Sequence, residues 1–423
     1  MASSMILDHF QLDSGAVLYN VPVAYTAYGR LAPTADNVVV VCHAFSGNTD
    51  VVSWWRLIGH GYVLDPQVFY IICLNSLGSP YGTAAPTTLI NGDPTLGYYG
   101  PQFPSTTIRD DVRLHKQVLD HLGVIQVACV IGGSMGGMLA LEWAYMGPQY
   151  VRTIVAIATS ARTSAWSMAW SETQRRSIRC DPKFNGGWYD MDDPPVDGLA
   201  AARLIALLTY RAHPSFESRF GGKTVAAVSS IETDVSSSPS SDHSTPLASS
   251  TSSISSSRVD VHEEKKPNPQ LTPLRLTQLD NRSSIREQTI RYANSSSEMA
   301  VHSYLRYQAK KFNARFDANC YIAMADKIDR HDISRGRVTA NCNDPVAEAL
   351  SQIKQPVLIL GIPTDVLYPY SEQRQLAAGI PQAVFGPIHS SDGHDGFLLE
   401  SDQINAALAR FFDKELACFD RRQ

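Results

Sequence analysis

Ser134 sits in Ile131-Gly132-Gly133-Ser134-Met135-Gly136-Gly137, with a glycine two residues away on either side. Ahead of it runs Val127-Ala128-Cys129-Val130, apolar and β-branched as buried strands are. Behind it comes Met138-Leu139-Ala140-Leu141-Glu142-Trp143-Ala144, a run of good helix formers. Strand, sharp turn with a central serine, then helix is the context in which G-x-S-x-G raises a nucleophile above the end of a sheet. Gly132 and Gly136 stand where a Cβ would clash as strand and helix close on each other, and the serine between them is forced into a strained backbone conformation. The helix behind it presents free N–H groups and its positive dipole end to an oxyanion formed at the serine. The alternative is a glycine-rich turn with an incidental serine, and strand, spacing and helix together speak against it.

A serine hydroxyl is a poor nucleophile until a base takes its proton, and the base needs an orienting carboxylate. In folds with this elbow the order along the chain is serine, acid, histidine, so the partners must come from the C-terminal part. Asp365 lies in Gly361-Ile362-Pro363-Thr364-Asp365, straight after the apolar run Pro356-Val357-Leu358-Ile359-Leu360. His394 lies in Ser391-Asp392-Gly393-His394-Asp395-Gly396-Phe397, between the last strand-like run and the last amphipathic one. Alone, Asp365 reads as a turn aspartate and His394 as a loop histidine; in order with Ser134 they read as a triad. His43 competes for the role of base. It follows the apolar run Val38-Val39-Val40-Val41-Cys42, so its loop is the one that donates the second oxyanion N–H. The backbone amides of Phe45 and Met135 are the oxyanion-hole candidates, and His43 reads as a residue that shapes the loop.

The elements that must position these groups follow from pattern and composition. Residues 6–30 alternate apolar and polar around Gly15, the signature of an antiparallel hairpin at a sheet edge. Buried strands are expected at 38–42, 69–74, 127–130, 153–158 and 356–361, with a weaker one at 383–388. Helices are expected from Thr107, an N-cap with Asp110 three residues on, to about Leu122, and over 404–412. Strand–helix alternation with continuous apolar strands predicts a parallel sheet covered on both faces. The loop 75–104, rich in glycine and proline, is long enough to suggest a functional role. After Thr159 the pattern turns helical, centred on Leu199 to Leu208 and resuming over 299–316 and 318–324. From about 224 to 297 it is broken by a low-complexity tract, about half serine over 229–257. Such a stretch buries too little apolar surface to offset chain entropy and is expected to be disordered. It reads as an unconstrained insertion, a phosphorylated regulatory segment being the alternative. The organisation predicted is a core in two parts, 1–163 and 346–423, and a helical lid domain at 164–345 that contains the insert.

The chain has 423 residues, 44% hydrophobic and 18% charged, the make-up of a soluble globular protein with two or three units. A net charge of −5 argues against nucleic acid or an anionic membrane as main partner. No apolar run reaches the ~18 residues needed to span a bilayer. The N-terminus lacks the basic and apolar regions of a signal peptide. The seven cysteines are scattered without a C-x-x-C pair, which suggests neither a disulfide framework nor a zinc site. No metal is expected, and the expected compartment is the cytoplasm.

Several long segments resemble the homoserine O-acetyltransferases of the α/β-hydrolase superfamily in their fungal form. They include Asn75-Ser-Leu-Gly-Ser-Pro-Tyr-Gly82, Phe103-Pro-Ser-Thr-Thr-Ile-Arg109-Asp-Asp-Val-Arg113, the elbow, Ala158-Thr-Ser-Ala-Arg162, Leu208-Thr-Tyr-Arg211, Phe316-Asp-Ala-Asn-Cys-Tyr321 and Gly393-His-Asp-Gly-Phe-Leu398. The fungal deacetylcephalosporin C acetyltransferases are similar as well. The resemblance implies an α/β-hydrolase fold, a mostly parallel central sheet flanked by helices, with an inserted helical lid. It implies acetyl-CoA as co-substrate, no permanently bound cofactor, and a ping-pong transfer through acetyl-Ser134 to the hydroxyl of L-homoserine, in methionine biosynthesis. It gives Arg211 the acceptor's carboxylate and Asp395 its ammonium group. Read from the residues alone, Arg211 is equally a salt-bridged lid residue and Asp395 a group that fixes the histidine loop. Related enzymes are often dimers through lid helices. One departure stands out: the family's usual His-Ala-Leu-Thr-Gly is here His43-Ala44-Phe45-Ser46-Gly47. That leaves open the acyl group and other acceptors, L-serine or a secondary-metabolite alcohol such as deacetylcephalosporin C, but not the reaction type; separately, the same triad would hydrolyse esters or thioesters if water reached the acyl-enzyme.

Overall fold

A computed structural model describes residues 3–225, 298–339 and 341–419. Its strands are β1 (Ser3–Gln11), β2 (Val17–Tyr28), β3 (Val38–Cys42), β4 (Tyr70–Leu74), β5 (Val127–Gly133), β6 (Val151–Ile157), β7 (Val357–Gly361) and β8 (Ala383–Pro387). They form one sheet in the order β1-β2-β4-β3-β5-β6-β7-β8. The β1–β2 hairpin is antiparallel and joins β4 antiparallel, while every pairing from β4 to β8 is parallel. The expected edge hairpin and parallel core are both present.

Every residue of β3, β5 and β7 is buried, because side chains of successive residues enter opposite layers. Val38, Val40 and Cys42 join one apolar cluster, whereas Val39 and Val41 join the other. The first cluster is closed by α1 (Ile108–His121), α2 (Met135–Ala144), and further along the chain α8 (Pro345–Ser351) and α9 (Tyr370–Gly379). The second is closed by Trp55, Phe69 and the apolar face of α11 (Ser401–Glu415), which follows a short turn of helix, α10 (Gly396–Leu399). Helix α1 opens with a reciprocal capping box: Asp110 N donates to Thr107 Oγ1 (3.1 Å) and Thr107 N to Asp110 Oδ2 (2.9 Å).

Between β6 and β7 lie α3 (Ala165–Arg179), α4 (Val196–Tyr210), α5 (His213–Phe220), α6 (Ala300–Asn313) and α7 (Ala318–Asp329). Residues of α3, α4, α6 and α7 and their connections bury a third apolar cluster, which includes Ile178, Leu199, Phe312, Phe316 and Tyr321. The chain divides into two units, Met1–Arg219 with Leu305–Gln423, and Phe220–Tyr304. In the second, Thr224 bridges Met299 antiparallel and the Phe220 and Tyr304 rings lie 4.8 Å apart. The serine-rich tract expected at 224–297 lies outside the described residues except for Thr224 and Val225. No helix among the described residues is long and apolar enough to cross a membrane.

Candidate active site

The elbow is built as its glycines require. Ser134 has φ 60° and ψ −124°, a strained conformation for a residue with a Cβ. Its backbone is held at both ends: Ser134 N donates to Ile157 O (2.9 Å), and Ser134 O accepts from Thr159 Oγ1 (2.8 Å). A Cβ on Gly132 would run into the carbonyl of Gly136, and one on Gly136 into the carbonyl of Cys42. Helix α2 therefore starts at Met135, directly behind Ser134, and aims its first N–H groups there. Ser134 opens on a cavity of about 50 Å³ walled by Phe45, Trp170, Gln174, Tyr210 and Tyr368.

Asp365 and His394, 29 residues apart, meet at the end of the sheet. His394 Nδ1 donates to Asp365 Oδ2 at 2.7 Å. That fixes the tautomer and leaves Nε2 as the lone-pair nitrogen, buried and without a hydrogen-bond partner among the described residues. Asp365 Oδ1 accepts from the amides of Leu367 and Tyr368, both at 2.9 Å, and Gln373 Nε2 donates to Oδ2 at 3.3 Å. Gln373 is itself locked, donating to Tyr368 O (2.6 Å) and accepting from Ile362 N (2.9 Å). The histidine loop rests on the elbow, since the ring of Phe397 fills the space a Cβ on Gly133 would take, and that ring lies 5.3 Å from the imidazole. No hydrogen bond joins Ser134 Oγ to His394 Nε2 among the described residues; contacts of this kind often tighten only with substrate bound. Burial alone would push the His394 pKa down. The charge and hydrogen bond of Asp365, with Asp395 adding to them, outweigh it and raise the pKa above the usual 6.5.

The loop after β3 supplies the other candidate donor. Gly47 N donates to Ala44 O (2.9 Å), so residues 44–47 form a turn with Phe45 at its head. The amides of Phe45 and Met135 donate to no group among the described residues. His43 is fully buried, and Ser76 N donates to its Nε2 at 3.1 Å. An amide can only donate, so the proton sits on Nδ1, which donates to Ala44 O at 2.8 Å. Burial lowers the His43 pKa to about 4, so the ring is neutral near pH 7. A trans peptide points its C=O and N–H in opposite directions. By gripping Ala44 O, His43 therefore sets the direction of the Phe45 N–H.

Beneath this turn, three consecutive residues are held by buried side chains from three other elements. His115 Nε2 donates to Asn75 O (3.1 Å), and His43 accepts from Ser76 N. Leu77 N donates to Asp111 Oδ1 (2.8 Å), and Lys327 Nζ donates to Leu77 O (2.6 Å). Lys327 and Asp111 form an ion pair at 2.6 Å with neither side chain exposed. In the sequence Asp111 reads only as a residue in the first turn of a helix, and Lys327 and His115 carry no role. Asp111 and His115 share a face of α1 at i, i+4, but no spacing rule links them to Lys327, which only the placing of α7 beside α1 brings to Asp111.

Arg211 and Asp395 face each other. Arg211 Nε lies 2.9 Å from Asp395 Oδ2, and Arg211 also pairs with Asp392. The guanidinium thus ties α4's end to the histidine loop.

The relatives of the chain fit this geometry. The family profile of the α/β hydrolase fold matches residues 37–401. A protein of Emericella nidulans named homoserine O-acetyltransferase is 48% identical over 98% of this chain and 87% of its own length. The chain belongs to the homoserine O-acetyltransferase family. The homoserine O-acetyltransferase of Bacillus anthracis, 20% identical, superposes with a TM-score of 0.71 over 98% of both chains. Esterase E22 is 21% identical, with a TM-score of 0.71 over 97% of this chain and 99% of its own. At those identities the two structures speak for the fold alone, which homoserine O-acetyltransferases share with esterases.

Proposed function

We propose that this chain transfers acetyl from acetyl-CoA to the hydroxyl of L-homoserine, a step of methionine biosynthesis, with Ser134, His394 and Asp365 as its triad. Membership of the homoserine O-acetyltransferase family over nearly the whole chain is the observation that carries the reaction. The buried His394–Asp365 pair with its open Nε2 supports the residue roles.

In the first half, His394 Nε2 takes the Ser134 hydroxyl proton as Oγ attacks the thioester carbonyl. The amides of Phe45 and Met135 receive the oxyanion. The C–S bond then breaks, and the CoA thiolate leaves with the proton from His394. In the second half, the acceptor hydroxyl gives its proton to Nε2 and attacks acetyl-Ser134, and Ser134 recovers the proton as the product ester departs. A cavity of about 50 Å³ suits a bound acetyl group, while the bulk of CoA must lie outside it. Arg211 and Asp395 are an ion pair that a zwitterion can split, guanidinium to carboxylate and carboxylate to ammonium. We read α3, α4 and α7, the described helices of the lid expected at 164–345, as its part next to this site, and the exposed Trp166, Trp188 and Leu208 as the surface of a homodimer, which light scattering tests. The cytoplasm is the compartment this reading implies.

The deciding experiment follows CoA release from acetyl-CoA with and without L-homoserine and assays O-acetylhomoserine. Release that is the same in both, with no acetylated product, favours hydrolysis by the same triad. Runs with L-serine and a deacetylcephem separate other acceptors. Arg211→Ala is expected to raise the KM for L-homoserine at least about tenfold, the loss of a bidentate charged contact, while leaving the acetyl-enzyme burst in place. A lost burst would assign Arg211 to the histidine loop instead.

The pH dependence follows from the sign of the His394 shift. Only the neutral imidazole accepts the serine proton, so kcat/KM rises with pH through a pKa above 6.5. In Asp365→Asn the residual activity should show this limb at lower pH, because the larger raising charge is gone while burial remains. An unmoved limb would mean that another group controls it.

A further inference from the structure

The turn that carries the Phe45 amide is gripped from a second side. Arg315 lies between α6 and α7, in the stretch Arg315-Phe316-Asp317. Its Nη1 donates to Ser46 O at 2.9 Å and, with its other proton, to the hydroxyl of Tyr81. The guanidinium also lies over the Phe312 ring, 5.3 Å from its centroid. The next residue, Phe316, stacks on the Phe45 ring with centroids 6.0 Å apart, and Tyr321 of α7 meets the same ring edge-on at 4.8 Å. Backbone and side chain of the turn are thus both held from the helices between β6 and β7.

We propose that Arg315 is a positioning residue for the oxyanion hole, a latch that fixes the outer half of the 44–47 turn as His43 fixes its inner half. This rests on the acyl-transfer reading above. Ala44 O is held by His43 and Ser46 O by Arg315, and the Phe45 N–H lies between these two fixed carbonyls. With Arg315 removed, Ser46 O keeps no side-chain donor among the described residues and the outer half of the turn can rotate. The Phe45 N–H then loses aim at the developing oxyanion, an interaction that depends on donors set before the charge forms. Both half-reactions pass through a tetrahedral oxyanion, so both are slowed by the same factor. A guanidinium on this rim has a rival role, contact with the phosphates of CoA, and the choice of acyl donor separates the two.

The test compares wild type, Arg315→Met and Arg315→Lys with two donors, acetyl-CoA and p-nitrophenyl acetate, which has no phosphate. Methionine keeps an apolar stem over Phe312 and removes the donors. Arg315→Met is expected to lower the acetylation rate about 10–100-fold with both donors, and deacetylation by L-homoserine to a similar degree, with the KM for acetyl-CoA changed less than about threefold. Arg315→Lys, which can still reach one carbonyl, should recover part of the loss. A defect confined to acetyl-CoA and expressed in KM overturns the proposal in favour of phosphate binding. Wild-type rates in Arg315→Met overturn it outright, as does a loss that disappears once rates are divided by the fraction of folded, titratable sites. Wild type that releases no CoA from acetyl-CoA would instead strike the function on which the inference stands.

Discussion

Ser134→Ala is expected to abolish CoA release from acetyl-CoA, with and without L-homoserine, by a factor of ~10⁴ or more. The size follows from what a serine nucleophile does in a coupled triad: without it the base has no proton to take, and the remaining oxyanion donors give only a residual rate. The substitution is mild for the fold. Alanine keeps the Cβ at φ 60°, and no side-chain cap is lost, since the Ser134 side chain caps nothing on α2. Unfolding midpoints should therefore match the wild type. Mass spectrometry after incubation with acetyl-CoA alone should show an acetyl group on the wild-type elbow peptide and none on the variant. Turnover retained in Ser134→Ala, or acetylation elsewhere, would remove Ser134 as nucleophile.

The second large effect is on stability. Lys327→Met takes the positive charge from a pair in which both side chains are fully buried. Burial raises the Asp111 pKa and lowers that of Lys327, and each charge opposes that push on the other. Removing one partner strands the other, a change that costs about 3–5 kcal/mol in buried pairs, and it also leaves Leu77 O without its donor. Denaturant unfolding measures the loss. Adding Asp111→Asn should cost less than the two single losses together, by about 1–3 kcal/mol, because the second substitution removes the stranded charge. A single-variant loss below about 1 kcal/mol, or strict additivity, would show that the pair carries no such coupling. The effect should also reach catalysis, since Ser76, inside the clamped stretch, donates to the histidine that orients the Phe45 peptide.

The parts of the molecule that could be read in advance are those whose signal is local. β3, β5 and β7 are unbroken apolar runs because both faces of the sheet are covered, and pattern alone found them. The capping box of α1 is written in Thr107 and Asp110. Helix α2 begins three residues before its run of helix formers, at Met135, because Gly136 and Gly137 have poor propensity and are kept for the close approach of backbones. Asp365 and His394 were legible through chain order, whereas Gln373, which holds the carboxylate, has no motif to announce it. Asp111, His115 and Lys327 were hidden for a related reason. A charged or imidazole side chain in an amphipathic helix looks solvated until another element covers it. Resemblance alone pairs Arg211 and Asp395 with a ligand; that they also face each other depends on how α4 ends against the histidine loop.

The antiparallel bridge between Thr224 and Met299 has a consequence for how the chain tolerates change in length. The two ends of the serine-rich tract leave the described residues side by side. For any flexible connection between ends so placed, ring closure costs about 0.6 kcal/mol for each doubling of length. A short turn spliced between positions 225 and 298 would join ends that the bridge already holds together. The position is a natural port for a tag or a fused domain, placed where the chain leaves and returns at neighbouring points.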